Sequence, residues 1–199
     1  MKTISYVYDS YGQARAVVED LEANAISHKD ITLVANRHVS PAYEDATDAT
    51  AATTGGGVGA IAGGGAGLLA GLGLLAIPGL GPMVAAGWAA AAVVGAMAGA
   101  AGGVAIGGLV DILTTSGESE EYAHVYTEAV RRGATLVSAR VADEDAERVR
   151  AIFTRHRPID PDLRAREYRG GGWERFDPKA SPYRPSQAEI DRIRMGGHL

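Results

Sequence analysis

Residues 49–110 read ATAATTGGGVGAIAGGGAGLLAGLGLLAIPGLGPMVAAGWAAAAVVGAMAGAAGGVAIGGLV, sixty-two positions without an Asp, Glu, Lys, Arg or His. Such a composition is far from that of an ordinary soluble domain. Its glycines are ordered. Gly55, Gly59, Gly63, Gly67 and Gly71 recur every fourth residue, and Gly87, Ala91, Gly95, Gly99, Gly103 and Gly107 repeat the spacing. Residues i and i+4 share a helical face. Each series therefore forms a stripe without side chains, along which another backbone packs closely, as in tightly crossing apolar helices. Between the two series lies IPGLGP, where Pro78, Gly79, Gly81 and Pro82 break a helix and turn the chain. The spacing predicts a Gly-zipper α-helical hairpin, one arm over 54–77 and the other over 83–113. Glycine in a helix costs up to about 1 kcal/mol relative to alanine. Close backbone contact has to offset that cost for the nineteen glycines from Gly55 to Gly108.

Two other readings of the stretch fit less well. A flexible linker carries serine and charge and has no reason for a four-residue period. It also leaves Leu68, Leu69, Leu72, Leu74, Leu75 and Ile77 without burial. Gly57-Val58-Gly59-Ala60-Ile61-Ala62 matches a dinucleotide fingerprint, yet no apolar strand precedes it and no acidic residue follows about twenty positions on.

The flanks read as an α+β domain cut in two. Lys2–Tyr8 alternates, with Ile4, Tyr6 and Tyr8 on one face and Thr3, Ser5 and Val7 on the other, a strand pattern. Ser10 and Gln13 form a capping box for a helix from Tyr11 to Asn24, with Ala14, Val17, Val18, Leu21 and Ala25 at helical spacing. DITLVAN, Asp30 to Asn36, is a second strand, parallel to the first. After the stretch, Glu118, Glu120 and Glu121 suit the start of a helix over 119–132 that stops at Gly133. TLVSARV, Thr135 to Val141, is a third strand. Asp143 caps a further helix that Pro158 closes, and a short fourth strand is expected near Ile159 or over 163–168. The order β-α-β then α-β-α-β is that of a ferredoxin-like α/β sandwich with one extra helix. Neither half has enough strands for a core of its own, so the halves meet across the base of the hairpin. The expected organisation is a first half-domain over 1–40, a polar linker over 41–53, the hairpin over 54–113, the second half over 118–168, and a Gly/Pro/Arg-rich tail over 169–199. The tail composition reads as disorder, or as an arm that docks on a neighbouring subunit or anionic lipid.

The remaining residues exclude more than they assign. Without cysteine there is no disulfide frame, thiolate metal site or cysteine nucleophile. MKTISYVYDS lacks the apolar core of a signal peptide, which places the flanking halves in the cytoplasm. Residues 1–154 carry nine Lys or Arg against seventeen Asp or Glu, an acidic body that argues against nucleic acid as a partner. Glu120, His124 and Glu128 are spaced i, i+4, i+8. Two carboxylates and an imidazole suit a divalent metal, but a fourth ligand is missing and local ion pairs explain the pattern more simply. No serine or threonine lies in a nucleophile elbow. No catalytic residue, metal, cofactor or small-molecule substrate is therefore assigned, and no enzyme activity is expected.

AIPGLGP (Ala76–Pro82) and EYAHVYTEAVRRGATLVSARV (Glu121–Val141), with the Arg131-Arg132-Gly133 turn, resemble the bacterial general stress and low-temperature-induced proteins that share a 17M-like domain. The resemblance covers about residues 2–157. It implies a stress-induced, non-enzymatic protein and supplies no catalytic residues.

Two functions follow from the stretch. In one, the hairpin inserts into the cytoplasmic membrane with both flanking halves in the cytoplasm, each arm being long enough to cross a hydrocarbon core of about 30 Å. In the other, hairpins from several chains pack their glycine stripes into a shared core, giving a homo-oligomer. Weak hydrophobicity, acidic flanks and the lack of aromatic belts speak for the second, but the length of both arms keeps membrane insertion the leading expectation and soluble assembly the alternative.

Overall fold

The computed structural model describes residues 1–36, 73–77, 80–88 and 108–180, together with residues 186, 188 and 191. Among these, five strands form one antiparallel sheet: β1 (Lys2–Tyr8), β2 (Ile31–Asn36), β3 (Gly73–Ile77), β4 (Gly81–Gly87) and β5 (Thr135–Val141). The spatial order is β1-β5-β2-β4-β3. Strand β5 lies antiparallel between β1 and β2, with Tyr6 opposite Val137 and Leu33 opposite the same residue. Hence β1 and β2 run parallel, and residues on either side of the uncharged stretch share one sheet.

Helices cover both faces. Helix α1 (Tyr11–Ala23) and α4 (Ala146–Arg155) pack on the face that carries Ile4, Tyr8, Leu33, Val137 and Ala139. Helices α2 (Leu109–Thr115), α3 (Glu120–Arg131) and α5 (Pro161–Gly170) pack on the face that carries Val7, Val34, Met83, Ala85 and Leu136. This explains why all six residues of β2 are buried, the polar Thr32 and Asn36 included, and why its sequence does not alternate between apolar and solvated positions. Each fully buried Leu, Ile or Phe in such a core contributes about 1.5–3 kcal/mol. Tyr8 is held on both counts: its ring is buried and its hydroxyl donates to the Phe153 carbonyl at 2.8 Å.

Local signals act as the sequence reading expects at α1. The Ser10 side chain accepts from the Gln13 amide and Gln13 reaches back to the Ser10 amide, a complete capping box. Ser119 caps α3 through the Tyr122 amide. Asp143 opens a single 3₁₀ turn, Asp143–Asp145, and α4 starts after it, so Asp143 does not cap that helix.

Two further expectations are corrected. The hairpin arms were to be helical through Ile77 and from Met83, whereas Gly73–Ile77 and Gly81–Gly87 are strands of the sheet. The β4 register against β2, Asn36 opposite Met83 through Thr32 opposite Gly87, closes an edge that β2 would otherwise present unpaired. Pro82 pairs with Ala76 on β3 one position beyond the last β2 partner, so the β2–β4 ladder does not need its missing N–H. Strands β3 and β4 are antiparallel neighbours, with Ile77 opposite Gly81. The second correction concerns the fourth strand. Residues 163–168 belong to α5, because Asp160 accepts the amides of Asp162 and Leu163 and Pro161 opens the first turn. In place of a fourth strand, one backbone bond, Ile159 N–H to the Val7 carbonyl at 2.7 Å, touches the outer edge of β1.

The first part of the tail docks on its own chain. Phe176 is buried and Trp173 packs partly buried against Tyr168, 5.6 Å between ring centroids in an edge-on arrangement.

Candidate functional site: the end of the sheet that carries the uncharged segments

Strand directions bring two sequence-distant points together. Gly73, the start of β3, pairs with Ala85, and Gly87, the end of β4, pairs with Thr32 at the start of β2. The uncharged residues 49–72 run into β3 and the uncharged residues 89–107 follow Trp88. Both segments therefore attach to neighbouring strands at the same end of the sheet. The β3–β4 turn lies at the opposite end, beside Asn36.

The attachment point is built for close approach. Gly87 has φ +89°, and a Cβ there would stand 2.0 Å from the Ile31 carbonyl oxygen and 2.8 Å from the Thr32 Cα. No other residue fits that backbone. Just beyond it, the Arg140 guanidinium lies 4.9 Å from the centre of the Trp88 ring, a cation–π contact worth about 0.5–1 kcal/mol. Arg140 also reaches Asp30 at 3.5 Å, and its amide donates to the Asp30 carbonyl at 2.9 Å. Trp88 Nε1 and Arg140 Nε are buried donors without an acceptor. These residues fasten the last turn of described chain before the second segment.

The expected site residues divide as follows. Gly55, Gly59, Gly63, Gly67, Gly71, Gly95, Gly99, Gly103 and Gly107 lie outside the described residues, as do Pro78 and Gly79. Gly87 is at a strand end rather than on a helical stripe, and Gly81 and Pro82 are paired residues of β4 rather than turn residues. The linker, 41–53, also lies outside.

The Glu120, His124, Glu128 face separates. Glu120 is 3.8 Å from His124. Glu128 turns inward and is 1 % exposed, where its carboxylate takes Arg131 Nε at 2.8 Å, Arg131 Nη2 at 2.7 Å and Arg132 Nε at 2.6 Å. Among the described residues no group of three His, Cys, Asp or Glu side chains converges as a metal site would require. The Glu128 cluster continues outward. The Arg132 guanidinium stands 4.2 Å from the Tyr168 ring centre, and Arg164, 5.9 Å from the same centre, donates to Asp9 at 2.7 Å. Burial pushes the Tyr168 hydroxyl up, and the two cations pull against it. This network clamps α3 to α5 and to the turn after β1. A buried carboxylate satisfied by two arginines is costly to break, by about 3–5 kcal/mol when one partner is removed.

A second polar pair joins the other helical layer. His156 Nε2 lies 3.0 Å from Asp20, Arg155 Nη1 3.3 Å from the same oxygen, and Arg148 donates to the Asn24 carbonyl at 3.0 Å. These contacts tie α4 to α1. Sequence reasoning missed Tyr168, Arg164 and Phe176, which it left at the margin of a tail or in an expected strand. The signal was the Asp160-Pro161 helix start.

Comparison of the chain with protein-family models, with curated proteins and with solved structures returned no match.

Proposed function

We propose that this is a non-enzymatic, self-associating protein. Its two-faced sandwich is a rigid platform that presents two uncharged Gly/Ala segments side by side for packing between copies. The observation that carries this reading is the register of β4 on β2. The chain leaves the sheet after Asn36 and re-enters it at Gly73, within the same sheet. A membrane excursion between those points has to cross twice. At about twenty residues per helical crossing that needs about forty apolar residues. The interval 37–72 has thirty-six, and Arg37, His38, Glu44, Asp45 and Asp48 are among them. The interval 89–107 has nineteen, enough for one crossing, which would put α2 and β5 on the far side from β4. Paired segments that begin and end on one platform favour the assembly alternative over a spanning hairpin. No helix among the described residues is long and apolar enough to cross a membrane.

Under this reading the four-residue stripes, Gly55 to Gly71 and Gly95 to Gly107, are the contact elements between copies. The core is read as ferredoxin-like. Strands β1, β5 and β2 with α1 and α4 on one face follow the β-α-β, β-α order of that fold. The β3–β4 hairpin extends the β2 edge, and the 156–160 turn with α5 stands where the fourth strand would lie. A cytoplasmic stress protein of the general stress type fits the AIPGLGP and Glu121–Val141 resemblance.

Sedimentation of detergent-free full-length protein tests the proposal. A defined species of several chains is expected, which Gly63→Leu and Gly99→Leu together convert to monomer because bulk at mid-stripe forces backbones apart. Wild-type protein that stays monomeric at all concentrations, or that is recovered in carbonate-resistant membranes, would contradict it.

A further inference from the structure

The sheet has two outer edges, β1 and β3, and they differ. Beside β1, the Ile159 N–H donates to the Val7 carbonyl, so Val7 turns its backbone groups outward. Along an antiparallel ladder successive residues turn those groups to alternate edges. Val7 therefore fixes the direction in every strand through the registers. Tyr6 turns inward to Val137, and Leu136 and Ser138 turn to Val34 and Thr32. Leu33 and Ala35 then turn to Ala86 and Val84, and Met83 and Ala85 turn to Leu75 and Gly73. Leu74 and Ala76 are left with N–H and C=O directed away from the sheet. Two contacts agree with this alternation. Arg140, two residues from Ser138, donates its amide toward β2, to the Asp30 carbonyl. Pro82, two residues from Val84, has its missing donor on the β2 side, beyond the last β2 partner, Asn36. Among the described residues no strand lies beyond β3. Its sequence, GLLAI, has no Lys, Asp, Glu or Pro, the residues that usually block an exposed edge.

We propose that β3 pairs with β3 of a second copy, antiparallel about a two-fold axis at Leu75, so that the two five-stranded sheets become one. The edge fits a copy of itself. With Leu75 opposite Leu75 of the second copy, Leu74 lies opposite Ala76 and Gly73 opposite Ile77, and the whole strand overlaps. Leu74 and Ala76, the residues directed outward, then exchange both backbone bonds at two equivalent places, which satisfies every outward group of both strands. A shift of one residue sets an outward residue against an inward one, and a shift of two shortens the overlap. GLLAI also offers no charge by which to select a different chain. The same edge serves on both copies, so the contact closes at two chains rather than running on into a fibre. The pairing rests on the self-association proposed above, because a strand this short holds two chains only where other contacts already bring them together.

Single cysteines in the full chain, which has none of its own, test the pairing. On the axis Leu75 forms a non-hydrogen-bonded pair with Cα atoms about 4.5 Å apart, within the range a disulfide spans. Ile77 is about 14 Å from its equivalent, beyond that range. Under a mild oxidant Leu75→Cys should link into dimers and Ile77→Cys should stay unlinked. Adding Ala76→Pro to Leu75→Cys removes an outward donor and should cut the linked fraction several-fold. The β3–β4 ladder does not use that donor, so exchange protection at Ala85 should persist. Chains without cysteine give a second readout. The Leu74 and Ala76 amides should exchange at least about tenfold more slowly in the wild-type assembly than in the monomer made by Gly63→Leu with Gly99→Leu. An assembly of wild-type mass in which Leu75→Cys does not link, or links no more than Ile77→Cys, would overturn the pairing and leave self-association standing. So would equal protection of the two amides in assembly and monomer, the result if a segment of the same chain covers the edge. Wild-type protein that is monomeric throughout would overturn both.

Discussion

Strands β5 and β4 flank β2 on opposite sides, and they reach that position by different physics. TLVSARV of β5 is rich in β-branched and large residues, and its Leu136 and Val137 anchor both helical layers. GPMVAAG of β4 has few such side chains, and Met83 is its one large buried anchor among the residues whose side chains are described. Side-chain packing specifies β5. Backbone pairing with β2, and a glycine that permits close approach at Gly87, specify β4. A strand can therefore be set by the edge it completes as much as by its own propensity.

The largest expected effect lies on the β5 side. Leu136→Ala removes a side chain that is 1 % exposed and should cost about 2–5 kcal/mol in global unfolding, read by denaturant titration. A cost below 1 kcal/mol would mean the α2/α3 layer does not depend on β5.

The next effect lies on β4. Gly87→Val meets a left-handed backbone and the Ile31 carbonyl together, and should cost about 2–4 kcal/mol. The loss should fall on the β3–β4 hairpin first. Exchange protection at Ala85 should collapse while that at Val137 persists. Equal loss at both would make the two flanks one cooperative unit.

The smallest effect is a gain. Gly12 lies in the first turn of α1 with open space where a Cβ would be. Gly12→Ala should stabilise by a few tenths to about 1 kcal/mol, seen as a small rise in Tm. The contrast with Gly87 separates a glycine the backbone requires from one it merely accepts.

The same contrast explains what could be read from the chain. Elements with a local signal were legible: alternation in β1, the Ser10–Gln13 box of α1, the glutamates and Gly133 that bound α3, and the β-branched run of β5. The β3–β4 hairpin was not, because a four-residue glycine period suits a helical stripe and nothing local reveals that β2 has a free edge. The inward turn of Glu128 was not legible because its partners, the partly buried Arg131 and Arg132, look like C-terminal helix cations. Helix α5 was not legible as a helix because 163–168 reads as a short strand; its local signal is the Asp160-Pro161 start, where the Asp160 carboxylate accepts the Asp162 and Leu163 amides.

The central claim is that the middle of the uncharged stretch is sheet, paired to β2, and not the tip of a helical hairpin. Nuclear magnetic resonance of the full chain, labelled selectively at Val34 and over 83–86, tests it most directly. The account predicts strand-type carbon shifts at Met83 to Ala86 and a short cross-strand contact between Val34 and Ala85, the pair opposite each other in the register. Helical shifts over 83–86, with contacts from residue i to i+3 and none to Val34, would contradict it and restore the spanning hairpin.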